Sequence, residues 1–311
     1  MTPFLKRLDE AKRVLIAGCG GGFDVYSGVP IGLRLMEAGK EVVFANLSFT
    51  NVWLTGGEQI VPFAWRIGAG DKELPYFPEK WLAEWLARRG LTPPVYAFGK
   101  CGARPLADAY KYIVDLHDVD LVLLVDGGTD SVIFGDEPGL GTVAEDALSL
   151  VAACAAAGDK VMLAALGFGI DHYHGVSHYS FLENVSRLIQ QGGFLGAFSL
   201  TPGTPEAGAF LDLVDYANQR QPRHGSIVCN SIASALRGEF GDYHATGRTA
   251  GSQLFINPLM IQYWTFDAPS VVSNMHYADS LAETGRLEEV LTVIERERAA
   301  LPVRFRRPLP L

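Results

Sequence analysis

Directly after the apolar run Leu121-Val122-Leu123-Leu124-Val125 the chain reads Asp126-Gly127-Gly128-Thr129-Asp130, and Asp136 and Glu137 follow six residues later. Four carboxylates thus fall within twelve residues, and from Tyr112 through Asp159 there is no Lys or Arg against ten Asp and Glu. Carboxylates crowded without basic neighbours repel one another, so they disperse into solvent, share protons or hold a cation. An apolar strand running straight into the segment argues against dispersal, because a lone buried carboxylate is costly. Mg²⁺ and Mn²⁺ prefer hard oxygen ligands, and Asp24, Asp126, Asp130 and Asp136 are the expected ligands of such a divalent cation. Two other readings stay open. A carboxylate pair sharing a proton would serve acid–base chemistry, and a solvated acidic face would charge the N-terminus of the next helix, which accounts well for Glu145 and Asp146.

The second constellation is the loop Gly18-Cys19-Gly20-Gly21-Gly22, between an apolar strand and a helix, with Asp24 just beyond it. Backbone N–H groups in such a loop meet phosphates or carboxylates, and Gly20, Gly21 and Gly22 are the expected substrate contacts. As a dinucleotide fingerprint the loop fails at its third position, Phe23, and the second strand closes on Asn46 rather than on an acidic residue. NAD or S-adenosylmethionine binding is therefore the alternative reading. Asp24 beside a pyrophosphate would also need an intervening cation.

Asp171, His172, His174 and His178 follow a later strand. Extended residues two apart point the same way, so His172 and His174 are expected to reach one centre, as general bases or as ligands of a zinc or iron site. Asp24 and Asp130 join them as expected catalytic groups. Lys100, with Arg104, supplies positive charge for an anionic substrate or for the acidic segment itself. Asn46, Gly127, Gly128, Thr129 and Asn230 complete the expected substrate contacts. Cys19 and Cys229 are weaker nucleophile candidates, since the loop around Cys19 lacks the glycine two residues before it that a nucleophile elbow carries.

Positioning these residues requires a regular scaffold. Apolar strands are expected at 13–17, 42–45, 95–98, 121–125, 161–166 and, briefly, 227–229. Helices are expected near 30–38, 79–89, 105–116, 142–157, 180–191, 205–218 and 280–299. Short apolar strands alternating with helices give right-handed crossovers and a parallel sheet covered on both faces. The fold expected is a Rossmann-like, three-layer α/β sandwich in one domain over residues 1–311, with antiparallel edge strands in the aromatic-rich region 253–277. The unusual polar residues cluster after the C-terminal ends of the strands, where open α/β sheets hold ligands.

With 311 residues, a net charge of −9 and one short basic run, Arg304-Phe305-Arg306-Arg307, the chain is not built to bind nucleic acid. No apolar stretch is long enough to cross a membrane, and charged residues follow the first Leu, so a cytoplasmic protein is expected. Its four cysteines form no CxxC pair and read as reduced thiols. The 253–277 region and the basic tail suggest a contact between subunits of a homo-oligomer.

The stretches GCGGGFDVYSGVP, DGGTDSVIFGDEPGLGT and GIDHYHGVS together resemble the bacterial and archaeal family known as domain of unknown function 1152. The resemblance implies a stand-alone enzyme and brings no reaction with it. The residues themselves point to metal-assisted hydrolysis or elimination on a small, polar, anionic metabolite. A non-catalytic ligand-binding protein is the remaining alternative.

Overall fold

In the computed structural model, which describes residues 2–309, the strands are β1 (Arg13–Gly18), β2 (Glu41–Leu47), β3 (Glu58–Val61), β4 (Ala64–Ile67), β5 (Val95–Phe98), β6 (Leu121–Gly127), β7 (Val161–Leu166), β8 (Phe194–Ser199), β9 (Gly241–Asp242), β10 (Phe255–Ile256) and β11 (Gln262–Asp267). The helices are α1 (Pro3–Glu10), α2 (Asp24–Glu37), α3 (Pro78–Arg88), α4 (Ala103–Leu116), α5 (Val143–Ala157), α6 (His178–Gln191), α7 (Pro205–Arg220), α8 (Ile227–Leu236), α9 (Ala268–Val272), α10 (Ala278–Ala282) and α11 (Leu287–Ala299).

Nine strands form one sheet in the order β3-β4-β5-β2-β1-β6-β7-β11-β8, and β9 pairs with β10 in a small antiparallel sheet. The five central strands, β5, β2, β1, β6 and β7, are parallel. Antiparallel strands extend both edges: β4 and β3 beyond β5, β11 and β8 beyond β7. From β1 the chain moves outward through β2 to β5, then returns past β1 to lay down β6 and β7. The order therefore reverses between β1 and β6, and the crevice outside the C-terminal ends of these two strands is the switch point where such sheets bind ligands.

Strict alternation along the central strands splits the core in two. Leu15, Ala17, Val122, Leu124, Val161 and Leu163 face one side, which α4, α5, α10 and α11 cover. Val14, Ile16, Leu123, Val125, Met162 and Ala164 face the other, under α2, α3, α7 and α8. This period of two with both faces apolar is what a buried parallel sheet requires. On α2, a Cβ at Gly28 would lie 2.4 Å from Cγ2 of Ile16, so glycine lets this helix sit close to the sheet and holds its first turn at the strand ends.

Four expected elements differ, the first being the helix expected over 280–299, which is broken between Ala282 and Leu287 into α10 and α11. The helix expected from residue 30 begins at Asp24 and carries Pro30 inside it; proline's preference for the first helical turn misplaces its start. Residues 227–229 are the first turn of α8, with the Ser226 hydroxyl accepting the Cys229 N–H at 3.0 Å. Two β-branched residues, Ile227 and Val228, mimic a strand there. The antiparallel additions include β11 from the aromatic-rich region, but also β8 and the β3–β4 hairpin, which lie outside it.

Candidate functional site

The glycine loop turns sharply after β1, with positive φ at Gly20, Gly21 and Gly22. At Gly20 a Cβ would meet Oδ2 of Asp24 at 2.6 Å and Oδ1 of Asp146 at 2.7 Å, so only glycine leaves room for both carboxylates. Asp24 opens α2 and sits in its first turn. Asp126 is the penultimate residue of β6, and its parity with Val122 and Leu124 turns it toward the face that α5 covers. Asp146 lies in the first turn of α5.

One oxygen each from Asp24, Asp126 and Asp146 lies within 4.8 Å of the others. Asp130 and Asp171 line the same 290 Å³ cavity, together with Gly20, Gly21, Phe49, Gly127, Glu145 and His174. Three of these carboxylates are clamped on one oxygen. Oδ2 of Asp126 accepts the hydroxyl of Ser131 at 2.5 Å and its N–H at 3.3 Å. The Asp130 Oδ2 accepts the N–H and hydroxyl of Thr142 at 2.7 and 2.8 Å. For Asp171 the donors are the N–H and hydroxyl of Thr129, at 2.5 and 3.1 Å. Asp146 is only 3% exposed, and its carboxylate receives no hydrogen bond and forms no ion pair among the described residues.

These surroundings disfavour ionisation. Burial, then the charges of Asp126 and Asp130, push the Asp24 carboxyl well above the ordinary carboxylate range. Burial followed by Asp130 and Asp126 does the same to Asp146 and Asp171. Asp126 is raised by burial and by Asp130, and Asp130 is raised by burial against the lowering effect of its Thr142 bonds. Such a group either keeps its proton and stays neutral or ionises with a cation beside it. Cys19 lies beside the cluster, fully buried, and burial with Asp146 nearby drives its thiol up, which makes it a poor nucleophile.

The cavity brings together Asp24, Asp126, Asp130, Gly20, Gly21, Gly127 and His174 of the expected residues. It does not bring in Asp136. That residue pairs with Arg304 at 2.8 Å, and Glu137 accepts from the same guanidinium at 2.6 Å as well as from Asn184 and the N–H groups of Phe134 and Gly135. The basic partner missing from the local sequence arrives from the C-terminal tail. His172 also points elsewhere: residues Ile170–His174 form a tight 3₁₀ turn between left-handed Gly169 and Gly175, so the two histidines diverge. The exposed His172 ring lies 3.1 Å from Arg306, beside His178.

Several expected substrate contacts serve the scaffold instead. Asn46 is buried and donates to the Gly22 carbonyl and to Glu79, both at 2.7 Å, which pins the glycine loop. Thr129 spends both its donors on Asp171, and Gly128 packs between Asp171 and Asp126. Asn230 lies within α8, paired with Asn218 at 2.8 Å. Lys100 is exposed at the rim, 5.9 Å from the Phe49 ring centroid, and Arg104 lies on α4 near Gly285. Gly22 lines the adjoining cleft rather than the carboxylate cavity.

The family model described as "Protein of unknown function (DUF1152)" matches residues 88–300, more than half of the chain. The chain belongs to this family. Within the DUF1152 match lie Asp126, Asp130, Asp146, Asp171 and His174, whereas the glycine loop and Asp24 precede it. No curated protein matches the chain.

Proposed function

We propose that this DUF1152 protein is an enzyme that binds a divalent cation, Mg²⁺ or Mn²⁺, through Asp24, Asp126 and Asp146, and uses it in hydrolysis or elimination on a small anionic metabolite. The observation that carries this reading is Asp146, a buried carboxylate without hydrogen bond or ion pair among the described residues, whose oxygen lies within 4.8 Å of those of Asp24 and Asp126. Hard oxygen donors in this number suit Mg²⁺ or Mn²⁺. When bound, the cation would offset two of the cluster's negative charges, attract the substrate's negative group and make a water more acidic.

The chain's own contribution is rigidity and proton transfer. Ser131, Thr142 and Thr129 each hold one oxygen of an aspartate that lines the cavity, the kind of outer support that tunes a metal site. The first turns of α2 and α5 face the cavity, and their dipoles ease the accumulation of negative charge. Exposed His174, at the rim near Asp130, is within the site to accept or return a proton.

A test follows from the divergence of the histidines. In a screen of phosphate and carboxylate esters with added Mn²⁺, turnover should depend on the metal, fall by about 10²-fold in His174→Ala, and persist in His172→Ala. Equal turnover with and without metal would refute the reading.

A further inference from the structure

A second cleft, of 450 Å³, opens from the carboxylate cavity and shares Gly21, Asp24, Phe49 and His174 with it. Its walls differ in chemistry. Phe49, 41% exposed, lies nearly parallel to Tyr76, with ring centroids 6.5 Å apart and planes 18° from each other. Phe23 and His224 meet Tyr76 edge-on at 5.7 and 6.1 Å, which fixes its ring. On the same cleft stands Arg248, whose guanidinium donates to the Gly225 carbonyl at 2.8 Å and has no carboxylate partner among the described residues. The N–H groups of Gly21 and Phe23, which also line it, make no hydrogen bond among the described residues.

Aromatic faces beside a free guanidinium and free loop N–H groups ask for a ligand with two parts, a flat ring and an anion. We infer that this cleft binds a phosphorylated compound carrying a heteroaromatic ring, of the nucleoside phosphate class, its phosphate between Arg248, the glycine loop and the aspartate site and its ring on Phe49 and Tyr76. The inference rests on the cation reading above, because Asp24 would repel a phosphate unless a cation stands beside it. Asn46 is turned inward onto Gly22 and Glu79, so the ring lies on the Phe49 side rather than along the end of β2.

Calorimetry with AMP, ribose 5-phosphate and inorganic phosphate, each with and without Mn²⁺, tests this. In the native protein with Mn²⁺, AMP should bind roughly tenfold or more tighter than ribose 5-phosphate. Phe49→Ala should abolish that difference, and Arg248→Gln should weaken all three phosphates. Equal binding of AMP and ribose 5-phosphate, or no binding of either while Mn²⁺ itself binds, would overturn the inference and leave the cation site standing. Absence of Mn²⁺ binding would strike the cation reading instead. In that event, AMP binding that is lost in Phe49→Ala would still support the ring site, and its absence would overturn it.

Discussion

Asp24 and Asp146 approach one point from the first turns of helices that lie on opposite faces of the sheet, α2 and α5, and Asp126 at the end of β6 brings a third oxygen within 4.8 Å of theirs. The reversal of strand order between β1 and β6 makes this meeting possible, since it splays the helices apart and leaves the crevice between their N-termini open. Helix dipoles and loop glycines alone would favour an anion there. Five aspartates lining the cavity reverse that preference.

Ser131 should matter through Asp126. Its hydroxyl and N–H hold Oδ2 of that carboxylate, so Ser131→Ala removes the shorter of the two bonds and frees the side chain to turn. Cation affinity should fall about 10- to 100-fold, with little change in melting temperature in the absence of metal. Calorimetric titration with Mn²⁺ measures the first and a thermal scan the second.

Gly20 has φ +110° and no room for a side chain between Asp24 and Asp146. Gly20→Ala should destabilise the fold by roughly 1–3 kcal/mol and displace both carboxylates. Urea denaturation reads the stability loss; unchanged Mn²⁺ affinity in the folded variant would show that the site does not depend on this close approach.

Glu79 gives a pH dependence. Fully buried beneath the glycine loop, it is raised to about 7 by its burial, against the lowering effect of its bond from Asn46. The folded protein therefore holds a proton that the unfolded chain releases nearer pH 4.5. Glu79's contribution to stability is intact below that lower pH and is lost as pH rises through about 7, a fall of roughly 3 kcal/mol. Glu79→Gln keeps an acceptor for Asn46 and cannot ionise. Measured from pH 4 to 8, the variant should gain on the native protein as pH rises; parallel curves would contradict the assignment.

Arg304 should prove structural. Its guanidinium joins Asp136, Glu137 and Glu183, which ties the tail to the loop between β6 and α5 and to α6. Arg304→Ala leaves the fully buried Glu137 without its cation and should cost roughly 3 kcal/mol. Mn²⁺ affinity should not change, which separates this acidic pair from the cavity aspartates.

Much of this arrangement was legible in the sequence. Apolar runs ending in glycine and aspartate mark the parallel strands and the sheet edge at which the polar residues gather, and Asp24, Asp126 and Asp130 follow directly from that edge. Asp146 does not stand out in the sequence, because helix N-terminal charge accounts for any acid in a first turn. Its helical period offered the clue, since Asp146, Leu150 and Ala153 share one face and the latter two are fully buried. Asp136 looked like a ligand because Arg304 is 168 residues away, a distance no local reading bridges. The convergence of His172 and His174 requires extended backbone, which the left-handed glycines on either side convert into a tight turn. Asn46 and Thr129 showed the right polarity at the right edge. Their roles depend on Glu79 and Asp171, brought beside them only by tertiary packing.

The most direct measurement is a calorimetric titration of metal-free protein with Mn²⁺ at pH 7.5, in two buffers of different protonation heat, for the native chain and Asp146→Asn. The native protein should bind the ion with proton release, because carboxyls raised by burial must ionise to ligate it, and the variant should lose that binding. A native protein that takes up no Mn²⁺, or an Asp146→Asn variant that binds it equally well, would contradict the account.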